Sequence, residues 1–116
     1  MSTSTGPVLI IDDDQAVRRS LKFALEVEGM EVRLYGSGAE LLADEEVPRR
    51  GCLVVDYHLL GISGIDVLDR LRARGVALPA ILITTNASRK TRDRAARSGF
   101  REVLEKPLQD SSLSTK

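Results

Sequence analysis

The chain carries no excess charge. Its 17 basic and 17 acidic side chains cancel, which leaves no global field to draw DNA, RNA or an anionic membrane to this domain. It has a single cysteine, Cys52, so an intramolecular disulfide is excluded and a reducing, cytoplasmic setting fits. Cys52 opens an apolar strand, where a buried thiol is a better reading than a nucleophile. No apolar stretch approaches the ~20 residues that span a bilayer. Residues 1–6 lack the basic segment and apolar run of a secretory signal. Internal repeats and low-complexity linkers are absent too. What remains is 116 residues, 42% hydrophobic and 29% charged, an ordinary composition for one domain with one core.

Four short runs read as strands: 8–11, 31–35, 53–55 and 80–83, with a fifth candidate at 101–104. Three are continuously apolar, as in a parallel sheet covered on both faces. The second, Glu31 to Tyr35, alternates polar and apolar residues in the manner of an edge strand. Helical patterns fill the gaps. Asp14 is placed to cap a helix over 15–28, with Val17, Leu21, Ala24 and Leu25 on one stripe and Gly29 as its stop. Ser37 caps a short helix through Ala43, and Ser63 caps one over 64–74. A helix over 89–98 offers only alanines and Thr91 as apolar contacts, so weak anchoring is expected of it. Strict alternation of strand and helix implies right-handed crossovers, an α/β three-layer sandwich and the strand order 2-1-3-4-5. Ligands then bind above the carboxyl ends of the strands, beside strand 1.

Those ends carry the chemistry. Asp12, Asp13 and Asp14 close the first apolar run, Asp56 closes the third, Thr84 closes the fourth, and Lys106-Pro107 follows the fifth. Three or four carboxylates in one crevice repel strongly, by ~4 kcal/mol for a pair 4 Å apart at an effective dielectric of 20. A divalent cation with hard oxygen ligands relieves that repulsion, and Mg²⁺ fits. An Asp beside such a metal can attack phosphorus and become an aspartyl phosphate, with Lys106 and Thr84 as donors to the charged oxygens. Taken alone, the acidic run is equally well explained as charges at a helix N-terminus. The register with Asp56, Thr84 and Lys106 favours a site.

The ordered set Val8-Leu9-Ile10-Ile11-Asp12-Asp13-Asp14, Leu53-Val54-Val55-Asp56, Pro79-Ala80-Ile81-Leu82-Ile83-Thr84 and Lys106-Pro107 resembles the receiver domain of two-component response regulators over residues 7–108. The resemblance implies a flavodoxin-like doubly wound fold with Asp56 as phosphoacceptor. Mg²⁺ would be held by Asp12, Asp13, Asp56 and the backbone carbonyl of His58. Thr84 and Lys106 would bind the phosphoryl oxygens, and the Lys106–Pro107 bond would be cis. A histidine kinase or phosphotransfer protein would be the donor. Residues 1–6 and 109–116 would be tails, the latter a remnant of a shortened last helix.

Four positions depart from the family pattern. Leu60 stands where a proline is usual, Val103 where an inward-swinging aromatic is usual, and Thr85 where a small residue is usual. The final amphipathic helix is cut to residues 108–116, with Leu108 and Leu113 as its apolar members. Either a homodimer partner covers the side of strand 5 and the first helix thereby exposed, or the chain was cut there. If the chain is complete, its output is protein–protein; if not, a DNA-binding domain could follow.

The competing function is a pseudo-receiver that binds partners without phosphorylation, for which Val103, Leu60 and the short last helix argue. A flavodoxin-like cofactor protein would need a phosphate cradle where this chain has acids. An aspartate-nucleophile hydrolase would need an acid where it has His58.

Overall fold

The computed structural model describes residues 6–106, and residues 1–5 of the N-terminal tail, the Lys106–Pro107 bond and the shortened last helix fall outside them. The order of elements is β1 (Val8–Ile11), α1 (Gln15–Val27), β2 (Val32–Tyr35), α2 (Gly38–Ala43), β3 (Cys52–Asp56), α3 (Gly64–Ala73), β4 (Ala80–Thr84), α4 (Arg89–Ser98) and β5 (Glu102–Glu105). The five strands form one parallel sheet in the order β2-β1-β3-β4-β5, as the alternation of elements implied. Boundaries moved by one or two residues. Notably, β3 reaches Asp56 and β4 reaches Thr84, so both residues lie within the ladder rather than in loops.

Side-chain alternation along the strands assigns the two faces. Leu9, Ile11, Leu53, Val55, Ala80 and Leu82 pack with Leu41 of α2, Leu68 and Leu71 of α3 and Ala95 of α4. Ile10, Val54 and Ile83 pack with Leu21 and Leu25 of α1 on the other face. Three layers result, with the sheet in the middle. The same alternation carries past the strand ends. Asp12, Asp56 and Lys106 follow Ile10, Val54 and Leu104 by two residues and so share the α1 face, while Thr84 follows Leu82 toward α4. The ladder holds this parity to the rim: Asp12 N–H donates to the Tyr35 carbonyl (3.3 Å), Tyr57 N–H to Ile83 (2.8 Å) and Lys106 N–H to Thr84 (2.8 Å).

Helix starts follow the capping residues. Asp14, Ser37 and Ser63 each accept a backbone N–H in the first turn, as expected from sequence, and Ser88 does the same for α4. Gly99 ends α4 at φ 108°, a conformation other residues reach at a cost. The weak apolar anchoring expected of α4 is found. Its apolar contact is indeed small, with Ala95 its one buried residue, but polar bonds supplement it. Arg92 donates to the Ala87 and Val103 carbonyls, and Arg94 pairs with Asp66 at 3.6 Å.

The α1 side of the sheet is the thinner layer among the described residues. A cavity of about 620 Å³ opens there near the amino ends of the strands, lined by Val8, Leu25, Met30, Cys52, Val54 and Ile81. Phe23 and Val27 of α1 are exposed.

Gly64 is a contact that composition does not announce. A Cβ built on it would lie 2.2 Å from the Asp56 carbonyl oxygen, because α3 begins directly under the end of β3. Gly64→Ala is therefore expected to cost about 1–3 kcal/mol of stability, the range for overpacking a tight contact. Urea denaturation reads this directly, and an unchanged midpoint would contradict the assigned packing.

Candidate functional site

The parity of the strand ends brings Asp12 and Asp56 together beneath Lys106. Asp12 and Asp56 are buried, at 0% and 4% exposure, and Asp13 stands exposed beside them. Lys106 Nζ donates to Asp12 Oδ2 and to Asp56 Oδ2, each at 3.3 Å. The Oδ1 atoms are also used: Asp14 N–H donates to that of Asp12 (2.9 Å) and His58 N–H to that of Asp56 (3.2 Å). Carboxylate oxygens of Asp12, Asp13 and Asp56 lie within 4.8 Å of one another, the spacing of a possible metal site. An all-oxygen, carboxylate-rich donor set matches Mg²⁺ chemistry, so the residues fit the ion the sequence implied.

Charge in this crevice is not balanced. Burial lifts the Asp56 carboxyl above the ordinary carboxylate range, and the neighbouring Asp12 adds to the effect. Lys106 and the His58 N–H oppose it without cancelling it. On Lys106, burial alone would disfavour the ammonium, but Asp56 and Asp12 outweigh burial and hold it charged to higher pH than a free lysine. One ammonium thus serves two buried carboxylates, with a third carboxylate at the rim.

Thr84 is fully buried, yet its hydroxyl does not face the acids. It accepts from Asn86 N–H (3.2 Å) and donates to the Asn86 carbonyl (3.5 Å), closing a small turn after β4. Thr85 and Asn86 are exposed. The His58 side chain is exposed, as expected, with its ring edge-on to Tyr57 at a centroid distance of 4.8 Å. Tyr57 and Leu59 pack half-buried against the α2–α4 core, while Leu60 is 81% exposed. Asp14 caps α1 through bonds to Ala16 N–H and Val17 N–H, and its backbone serves Asp12.

One residue at the site was not singled out from sequence. Arg18, one turn past the cap, donates from Nη1 to the Asp12 carbonyl at 2.5 Å. With the bonds already described, Asp12 is fixed at its N–H, its carbonyl and both carboxylate oxygens. The signal was available only as spacing, since a residue four past an N-cap lies over the first turn of its helix.

The raised Asp56 value fixes the sign of a pH effect. The folded chain holds this proton more tightly than the unfolded chain, so metal-free stability declines as pH climbs from the ordinary carboxylate value through the raised one. Lys106 gives the same sign much higher: its contribution is complete below the usual lysine value and disappears as pH passes the raised folded one. Asp56→Asn is expected to raise the melting temperature of metal-free protein at neutral pH and to flatten its slope between mildly acidic and neutral pH. Mg²⁺ at a hundredfold over its Kd should stabilise the unsubstituted chain by about 2.7 kcal/mol and Asp56→Asn by less. Thermal melts with and without Mg²⁺ decide this, and identical pH slopes for the two proteins would refute it.

Comparison with known proteins points one way. The family model described as the response regulator receiver domain matches residues 8–116. The transcriptional regulatory protein FixJ of Azorhizobium caulinodans is 42% identical over 108 residues, covering 92% of this chain and 51% of that protein. The C4-dicarboxylate transport transcriptional regulatory protein DctR of Rhodobacter capsulatus is 34% identical, covering 91% of this chain and 55% of that one. The chain therefore spans about half the length of these curated relatives. Among solved structures, that of FixJ-N superposes with a TM-score of 0.88 at 30% identity, covering 97% of this chain and 90% of that one. A CheY-like response regulator receiver domain protein of Methanospirillum hungatei gives 0.87 at 28%, with the same coverage.

Proposed function

Because the chain belongs to the response regulator receiver family, we propose that Asp56 takes a phosphoryl group from a histidine kinase or phosphotransfer protein and thereby switches protein–protein contacts. The supporting observation is the buried Asp56 carboxylate, bonded to Lys106 and within metal-sharing distance of Asp12 and Asp13. In this reading an Asp56 oxygen attacks phosphorus, the P–N bond of a phosphohistidine breaks, and its electrons return to the imidazole. Lys106 Nζ, already aimed at Asp56, binds phosphoryl oxygens as they arrive. Thr84 turns its hydroxyl from Asn86 to the same oxygens. The phosphoryl group adds about −1.5 to −2 charges, enough to draw both donors inward.

Asp12, Asp13, Asp56 and the His58 carbonyl would hold Mg²⁺. When bound, the ion supplies the positive charge that the acids lack and that the phosphoryl oxygens need. Loss of the phosphoryl group to water resets the domain, and the exposed His58 and Asn86 flank the path that water takes. The domain spans residues 7–108 and works in the cytoplasm; no helix among the described residues is long and apolar enough to cross a membrane. A homodimer through the α1 side would bury Phe23 and Val27. Sedimentation should then report a dimer that Phe23→Ser weakens, and a monomer at all concentrations would exclude it. No observation favours the phosphorylation-independent alternative, and the bonds of Lys106 to Asp12 and Asp56 support the phosphoacceptor reading.

Acetyl phosphate with Mg²⁺ should add one phosphoryl mass to the protein, and beryllofluoride should shift the amide resonances around Asp56. Asp56→Asn should abolish both. Lys106→Ala should slow phosphorylation by roughly a hundredfold, the scale for removing one donor to developing charge. An unmodified protein after prolonged exposure to both reagents would reject the proposal.

A further inference from the structure

The family resemblance leaves a mechanical gap. The side chain at position 103 is valine, too short and too restricted at χ1 to swing between two positions as an aromatic ring would. It lies half-buried in β5, in register with Leu82, on the same face as Thr84. Something else must connect the turn after β4 to β5 if the state of Asp56 is to reach the α4–β5 side.

Arg92 spans that gap. Its Nε donates to the Ala87 carbonyl at 3.1 Å, and its Nη1 donates to the Val103 carbonyl at 3.3 Å. Its own N–H is held by the Ser88 carbonyl at 2.9 Å, and Ser88 caps α4 through Thr91 N–H. A single planar guanidinium therefore ties together the β4–α4 turn, α4 and β5. The other end of the turn is Thr84, whose hydroxyl is committed to Asn86, the residue next to Ala87. Arg92 is set apart from the other cations of α4 in this respect. Arg94 pairs with Asp66 on α3, and Arg89, Lys90 and Arg97 show no bond among the described residues.

We infer that Arg92 carries the state of Asp56 to β5, in the place of the missing aromatic switch. The inference rests on the phosphoacceptor reading above. When Thr84 leaves Asn86 for a phosphoryl oxygen, the Asn86 N–H loses its acceptor and the turn must close differently. The Ala87 carbonyl moves with the turn. A rigid fork bonded to two carbonyls cannot follow one and keep the other unchanged, so either α4 shifts with the turn or the bond to Val103 breaks. Both outcomes alter the α4–β5 side without any aromatic rotation.

The test is amide spectra of the whole chain with Mg²⁺, with and without beryllofluoride, for the unsubstituted protein, Arg92→Ala and Arg92→Lys. In the unsubstituted protein, shifts are expected both near the acceptor (Tyr57, His58, Asn86) and remotely (Ala95, Val103, Leu104). In Arg92→Ala the near shifts should persist and the remote ones should fall by roughly twofold or more, the scale on which coupling residues act. Arg92→Lys, which keeps the charge but cannot fork, should resemble Ala, and it keeps the test informative should the Ala variant fail to fold. Remote shifts of undiminished size in both folded variants, or their absence in the unsubstituted protein, would overturn the role of Arg92. Absence of near shifts in the unsubstituted protein would instead reject the phosphoacceptor reading on which it rests.

Discussion

Two buried carboxylates share one ammonium at the centre of this molecule, and a third carboxylate stands at the rim. Lys106 bonds Asp12 and Asp56 at equal distance, yet Asp56 still titrates above the ordinary range. At separations near 4 Å and an effective dielectric of 20, each unit-charge pair is worth about 4 kcal/mol, so one lysine cannot satisfy three acids. The fold holds this imbalance in place by fixing Asp12 at four points and Asp56 through both oxygens. A crevice so under-neutralised could hold a divalent cation, and in the proposed reading it keeps the Asp56 carboxylate where an incoming phosphoryl group would meet Lys106.

The sheet exists, for this purpose, to set parity. Parallel strands end at one edge, and strict alternation sends Asp12, Asp56 and Lys106 to one face and Thr84 to the other. In the proposed reading, that division separates the acceptor from the reporter. The acids and the ammonium sit on the α1 side, while the Thr84 hydroxyl sits with the turn that leads into α4. In the proposed reading, a change at Asp56 that recruits Thr84 would pull on the second layer, where Arg92 joins α4 to β5.

Much of this was legible in the amino-acid order because its signals are local. Continuous apolar runs marked buried parallel strands, Asp14, Ser37 and Ser63 marked helix starts, and the polar alternation from Glu31 to Tyr35 marked an edge. The acids, Thr84 and Lys106 were legible because each ends a strand. What sequence did not reveal is contact between segments. Gly64 resembles any helix-opening glycine until the Asp56 carbonyl is seen against it. Arginines on helix faces are common, and only the fold shows which carbonyls Arg18 and Arg92 reach.

The central claim is that the carboxylate of Asp56 is the atom group that bonds to phosphorus. Phosphorylation by a phosphohistidine donor, followed by borohydride reduction of the acyl phosphate and peptide mass analysis, locates the modified side chain without assuming it. The account predicts homoserine at position 56 and unmodified aspartate at 12, 13 and 14. Reduction at any of those three positions, or at none of the four, would contradict it.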